Sequence, residues 1–351
     1  MLFKYVAFHY LKNMLIILMG LSGLFAGLDF LMNASSLPSF NVKVLYAFSR
    51  WEEAINLLYP LVIILGAIWT KISFIKSNTI ASFYALGISR KQLFIPFFVV
   101  AFGTYLLIIA LNFTSFAKGN DRADMLQRNE YSMSPTHDLF FKYNDSFVFI
   151  KELIPQKYKI EGLTIFKLNG NKMVEMFEAK EAWYNIEEWV ATDVISKTII
   201  EDNQGNKSLK IEKIKVLHTL KDYQPEILKF IYDNQQLTVD EIYKAKRLLE
   251  KQGLKTESLR ADMYSRIITP LFSIALVMML LFYFPFHARY IKIGVLGMQT
   301  IGITLFIWGI LFAFQRIGMS GVINPELIII TPIVLLWIYA LYTLDKADKR
   351  I

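Results

Sequence analysis

The residue types that most often carry enzymatic or metal chemistry are either missing from this chain or scattered along it. His9, His137, His218 and His287 stand far apart and none lies in a His-Glu-x-x-His pattern, so a zinc centre, which needs convergent ligands, is not supported. Cysteine is absent, which excludes disulfides, thiolate metal sites and thiol nucleophiles. The dipeptide Gly-Lys does not occur, so no phosphate-binding loop of the Walker type hydrolyses nucleotide here. What remains are charges in unusual places. Asp29 and Arg316 stand near the outer ends of two long apolar runs, where a charge costs much less than the roughly 2.5–3.5 kcal/mol of a membrane-helix centre. Both read either as solvated interfacial groups or as the flanks of a polar entry point for an anionic amphiphile.

A different kind of chemistry is written between Lys71 and Pro96, KISFIKSNTIASFYALGISRKQLFIP, which carries Lys71, Lys76, Arg90 and Lys91 and no acid. Ser77 or Asn78 is placed to cap a short helix, and Ile80, Phe83 and Tyr84, with Ile88 just beyond, fall close to one face. Ala85 lies near its end, Gly87 suits a left-handed cap, and Arg90 and Lys91 sit near the negative end of the dipole. Such a segment either lies on the lipid surface or docks a partner that delivers force. The lack of a strongly cationic face favours docking through Asn78, Thr79, Ile80, Phe83, Tyr84, Ala85, Gly87 and Ile88.

The elements that must hold these groups are membrane helices. Of 351 residues 54% are hydrophobic and only 19% charged, with a mean hydropathy of +0.38, too apolar for a set of soluble domains. A bilayer core of about 30 Å needs roughly 20 apolar residues. Six runs qualify: Leu11–Met32, Leu57–Phe74, Leu93–Phe113, Ile267–Phe286, Ile293–Phe314 and Leu327–Leu344. Lys4 and Lys12, the 71–91 loop, Arg289 and Lys292 in the His287–Lys292 turn, and Lys346, Lys349 and Arg350 fall on alternate connections. Both termini are therefore expected in the cytoplasm, and the net charge of +8 needs no nucleic acid to explain it. The first run is long enough to span and lacks a clear cleavage site, so it reads as a helix and not as a removed signal. The middles of the spans are nearly free of Asp, Glu, Lys and His, and no deep Gly/Pro break is visible; ion-coupled carriage is not supported.

The Thr114–Arg266 insert falls on the opposite side. Leu139–Leu153, Tyr158–Leu168, Lys172–Trp183, Trp189–Glu201 and Ser208–Leu220 alternate like strands, with Asn169-Gly170-Asn171 and Asn203-Gln204-Gly205-Asn206 as turns. Antiparallel strands without intervening helices predict a sandwich or open barrel. Phe147, Phe149, Ile165, Trp183, Val190, Val194 and Ile195 are either its core or the lining of a groove for acyl chains. Thr238 and Glu241 predict a capped helix ending at Gly253, and a second helix from Glu257 feeds the fourth span. The expected plan is an N-terminal membrane half (1–116), an inserted β domain (117–236), a helical connector (237–266) and a C-terminal membrane half (267–351).

This plan resembles the LptF/LptG family of lipopolysaccharide-export permeases over nearly the full length. The resemblance rests on Tyr59-Pro60 with Leu65-Gly66-Ala67, on Asn78–Ser89, on AKEAWYN followed by EWVATDVIS, on Leu237–Gly253, on Arg266 with Pro270, and on Pro325 and Pro332. Ser22-Gly23 with Asp29 and the Tyr59–Ala67 segment look closer to the G-type subunit. The resemblance implies a periplasmic β-jellyroll and an inner-membrane location. It implies a second permease of the same family, a dimeric cytoplasmic ATPase (LptB type) holding ATP and Mg, a bitopic jellyroll partner (LptC type) and a periplasmic bridge (LptA type). This chain itself would hold no cofactor and perform no hydrolysis, and lipopolysaccharide would be its cargo. Two departures stand out. Thr79 replaces the usual acid at the start of the docking helix, and Ala26 replaces a lysine that the G-type subunit can carry one turn before its first-span acid. Charge recognition then falls to Lys43, Arg50, Arg316 or the partner. The alternative function is a non-transporting envelope scaffold or sensor; a lipid-modifying enzyme would need a convergent polar cluster, and none is visible.

Overall fold

The computed structural model describes residues 2–128, 135–170, 172–201, 207–233, 236–284 and 293–348. The helices are α1 (Leu2–Asn33), α2 (Phe40–Lys76), α3 (Thr79–Ala85), α4 (Arg90–Asn112), α5 (Gly119–Gln127), α6 (Pro225–Asp233), α7 (Val239–Lys251), α8 (Glu257–Ile267), α9 (Leu271–Tyr283), α10 (Ile293–Ser320) and α11 (Thr331–Asp348). The strands are β1 (Thr136–Tyr143), β2 (Ser146–Ile154), β3 (Lys159–Asn169), β4 (Lys172–Asn185), β5 (Glu188–Glu201) and β6 (Lys207–Thr219). Two compact units result: Met1–Ala123 with Glu257–Ile351, and Asp124–Thr256.

In the helical unit six segments among the described residues are long and apolar enough to cross a membrane. With lipid outside, their packing depends on close backbone approach and polar ties. At Gly66 an added Cβ would lie 3.0 Å from Met14 Cβ and 3.1 Å from its Cα, so only glycine lets α1 and α2 meet there. Tyr10 donates to the Ile63 carbonyl at 2.8 Å and Asn13 to Thr70 at 2.9 Å. Asn56 and Asn112 exchange amide bonds at 3.2 and 2.9 Å and tie α2 to α4.

Three features differ from the sequence reading. The second span begins at Phe40 and not at Leu57, capped by Ser39; Lys43, Arg50, Glu52 and Glu53 mask its first part from any hydropathy window. The fourth span is not one uninterrupted helix, because α8 and α9 are separated at Ile268–Pro270. The sixth opens with a π-helical turn, Glu326–Ile330, before α11. The His287–Lys292 turn, with Arg289 and Lys292, lies outside the described residues, as do Lys349 and Arg350.

The β unit is one hydrogen-bonded antiparallel sheet in the order β1-β2-β3-β4-β5-β6, with β1 and β6 as its two edges. Leu139–Leu153 is not one strand but the β1–β2 hairpin, turning at Asn144 with φ 51°. Gly170 has φ +60°, as the turn there requires; Asn171 and the 203–206 turn lie outside the described residues. Thr238 and Glu241 form the expected capping box of α7, and Gly253 is left-handed.

A crease crosses all six strands. Register is constant along each pair near it, yet the ladder skips Asp138, Lys151, Gly162, Lys180, Asp193 and Lys215, which stand opposite one another. Asp138, Gly162 and Asp193 are left-handed, with φ of 56°, 72° and 51°. A left-handed residue inside a strand turns the pleat over. Buried positions accordingly stand three apart across the line, at Ile150 and Leu153, Leu163 and Ile160, Ala179 and Ala182, and Val194 and Ala191. Both leaves thereby bury the same side.

Candidate functional site

The α3 segment is a seven-residue helix between the second and third spans. Asn78 occupies its N-cap with φ 55° and makes no side-chain cap; instead the hydroxyls of Ser77 and Thr79 meet at 2.7 Å. Gly87, with φ +78°, closes it as expected: Gly87 N–H donates to the Tyr84 carbonyl at 2.9 Å and Ile88 N–H to that of Phe83 at 3.1 Å. Ser89 and Gln92 then form a capping box that starts α4.

The apolar stripe of α3 faces its own chain. Ile80 is fully buried. Phe83 meets Phe74 and Tyr5 edge-on at centroid distances of 6.4 and 6.2 Å. Tyr84 is half-buried and bonded to Arg90, and burial pushes its phenol above the ordinary range against the pull of that guanidinium; Arg90 in turn lies 5.9 Å from the Phe282 ring centre. Outward stand Ala81, Ser82, Ala85, Leu86 and Gly87, a face without charge on which Leu86 is 77% exposed. Of the eight residues grouped for docking, Ile80 is fully buried and Phe83 and Tyr84 pack within the chain, whereas Ala85 and Gly87 are exposed beside Leu86.

At the other end of the first span Asp29 is the centre of a polar network. Its Oδ2 accepts from Tyr46 Oη at 2.5 Å and from Arg50 Nε at 3.0 Å. Arg50 Nη1 also reaches Glu53 Oε2 at 2.8 Å and Asn120 Oδ1 at 2.5 Å. Asn120 is held close because Gly119 packs on the α2 backbone, where an added Cβ would come within 2.9 Å of the Ser49 carbonyl oxygen. Arg122 pairs with Glu52, and Trp51 Nε1 donates to Ser22 Oγ at 2.8 Å. Next to this network Leu21, Leu24, Phe25, Leu28, Met32 and Leu58, with Asp29, line a groove of about 390 Å³. The arrangement joins an apolar channel to a charged end, which is what holding an amphiphile requires. Arg316 lies instead over the Phe312 ring, 5.1 Å from its centre. Tyr46 and Arg50, one helical turn apart, are the residues that engage Asp29; their i, i+4 spacing in a segment read as a loop was the missed signal.

In the β unit Val148, Ile150, Leu153, Ile160 and Trp189 are fully buried. Ile165 is paired across from Val148 and shares that face, whereas Phe147, Phe149 and Ile195 occupy the opposite one by strand alternation. Trp183 is half-exposed, with Lys159 Nζ 5.3 Å from its ring centre. The five β-domain candidates are thus divided between two faces.

Six candidate membrane spans, split three and three by an inserted antiparallel sheet, define a polytopic membrane protein carrying a β domain. Comparison with family models places it further: residues 4–346 match the family described as the lipopolysaccharide export system permease LptF/LptG. The chain belongs to that family. It is therefore a transport permease subunit and not itself an enzyme. Among curated proteins none matches the chain.

Proposed function

We propose that the chain is one of two permease subunits of an ATP-binding-cassette exporter of the bacterial inner membrane, with both termini in the cytoplasm. It extracts lipopolysaccharide and passes it through its periplasmic β domain toward the outer membrane. ATP and Mg are bound by a dimeric ATPase of the LptB type. The second permease, a bitopic jellyroll protein of the LptC type and a bridge of the LptA type complete the path. The observation that carries this reading is α3: an uncharged knob beside the spans of a family of export permeases, in a chain that lacks any nucleotide motif of its own.

The Asp29–Tyr46–Arg50 network with its groove is the proposed cargo entry, and the buried side of the creased sheet is the proposed conduit. The G-type assignment is proposed on Ser22-Gly23 with Asp29 and on the Tyr59–Ala67 segment; in the structure Ser22 accepts from Trp51 and Asp29 pairs with Arg50. Co-purification from native membranes tests the assembly: tagged protein should bring down an ATPase and a second six-span chain, and recovery of neither refutes it. A photocrosslinker at Ile165, on the buried side, should give lipid adducts, and one at Phe149, on the opposite face, should not. Protein adducts alone would favour the scaffold.

A further inference from the structure

The fourth span is interrupted where a proline ends the hydrogen-bond ladder. Proline at 270 has no N–H to offer and the Leu271 N–H turns to the Ile268 carbonyl at 3.1 Å, so the Ile267 carbonyl, without its helical donor, accepts from Tyr105 Oη of α4 at 2.8 Å. The N–H groups of Ile268 and Thr269 both turn back to the Tyr264 carbonyl, at 2.7 and 3.0 Å. Thr269 Oγ1, in the break itself, is buried without a hydrogen-bond partner, as is Tyr59 Oη on α2. A break whose backbone is met by a side chain of another helix has fewer fixed bonds to lose on bending than a continuous helix does.

The two sides of the break are fastened to different neighbours. On α8, Arg260 Nη1 reaches Glu326 Oε1 at 2.6 Å and Tyr264 Oη donates to the same oxygen at 3.0 Å. Gly318 near the end of α10 is the meeting point of the same pieces, since a Cβ there would lie 3.3 Å from the Ile328 and Ile329 side chains and 3.6 Å from Ala261 Cβ. On the other side Phe272 to Leu281 of α9 are buried throughout. The sixth span is interrupted beside the same cluster, by the π-turn of Glu326–Ile330 and Pro332 just after it; π-turns commonly mark functional points in helices.

We propose that α8, the end of α10 and the π-turn form one block, tied by Glu326. The block pivots against the rest of the helical unit at Ile268–Pro270 and at the joint between the π-turn and α11, and α10, continuous through both parts, tilts with it. The proposal rests on the transport reading above and assigns the pivot as the exit-side moving part of the cycle.

The cysteine-free sequence allows a direct test in the intact complex reconstituted in lipid vesicles. Spin labels at S320C and L327C sit within the block; labels at S320C and L107C join it to α4. Trapping with ATP and vanadate should move the second distance and leave the first unchanged. A bifunctional thiol cross-linker joining R260C and E326C should leave export intact, because it joins parts that move together. Pro270→Leu, which restores the missing donor, should abolish export while ATPase docking and turnover persist. An unmoved S320C–L107C distance in a complex that exports overturns the pivot, and a changing S320C–L327C distance overturns the block. Loss of ATPase docking in the unsubstituted chain would instead be a failure of the transport reading.

Discussion

Replacing Leu86 with aspartate should separate ATP hydrolysis from export without unfolding the permease. The side chain is 77% exposed on a face with no charge, so the isolated chain loses almost no packing. Full burial of a leucine is worth about 1.5–3 kcal/mol; scaled to the exposed fraction, docking would gain roughly 1–2 kcal/mol from this one residue, a factor of about 5–30 in affinity. Leu86→Ala should therefore weaken ATPase binding by about that factor, and Leu86→Asp by more, because a carboxylate is then buried at the contact without a partner. The assay is titration of purified ATPase onto the permease pair in nanodiscs, read by binding and by the stimulation of turnover, alongside export into acceptor vesicles. Phe83→Asp is the informative contrast. It places a charge against Phe74 and Tyr5 and should lower the melting temperature of the permease itself. Export and affinity unaltered by Leu86→Asp would refute the docking face.

Thr79→Glu should be tolerated, since the side chain is only half-buried and its hydroxyl meets that of the exposed Ser77; a fall in ATPase affinity would show that the uncharged surface is required. Gly66→Val should destabilise the α1–α2 pair by about 1–3 kcal/mol, because the clash is with the Met14 backbone, whereas Gly20→Ala, where nothing lies within 4 Å, should be silent in the same detergent melt. In the β unit Lys159 bonds Glu161 and Glu181 at 2.7 and 2.8 Å. The Lys159 ammonium holds the Glu161 carboxyl below the usual range, and the two acids raise that ammonium. The carboxyl's contribution is complete above the ordinary carboxylate range and fades as pH falls through its lowered value; the lysine's fades only as pH rises through its raised one. Amide protection at β3 and β4, corrected for the intrinsic pH dependence of exchange, should thus fall in acid, slightly because the two carboxylates are exposed, and Lys159→Met should remove that fall.

The spans and the strands were legible because membrane thickness and the two-residue strand period impose patterns no tertiary contact can alter. Local chemistry was legible where it is self-contained, as at Thr238 with Glu241 and at Gly87. Phe40–Asn56 was read as a connection because its charges, Arg50 and Glu52 among them, are neutralised by α1 and α5, residues remote in sequence. The hairpin at Asn144 lacks the glycine that announces such turns. The packing of Phe83 was not legible for a related reason: an apolar stripe on a short helix announces a contact, but not with which chain, and here Phe74 and Tyr5 meet it.

The crease through Asp138, Gly162 and Asp193 has a mechanical consequence for the β unit. Pairing on its two sides obeys one register, so the angle between the leaves can change without any strand slipping past its neighbour. The sheet has the geometry of a book whose spine is a row of six residues, with the pages free to part while every line of print stays aligned. Opening it exposes apolar surface on both pages at once, and closing it needs no new hydrogen bonds. On the proposed conduit role, a passing acyl chain would repay the first cost by covering that surface and would itself be the wedge that holds the book open.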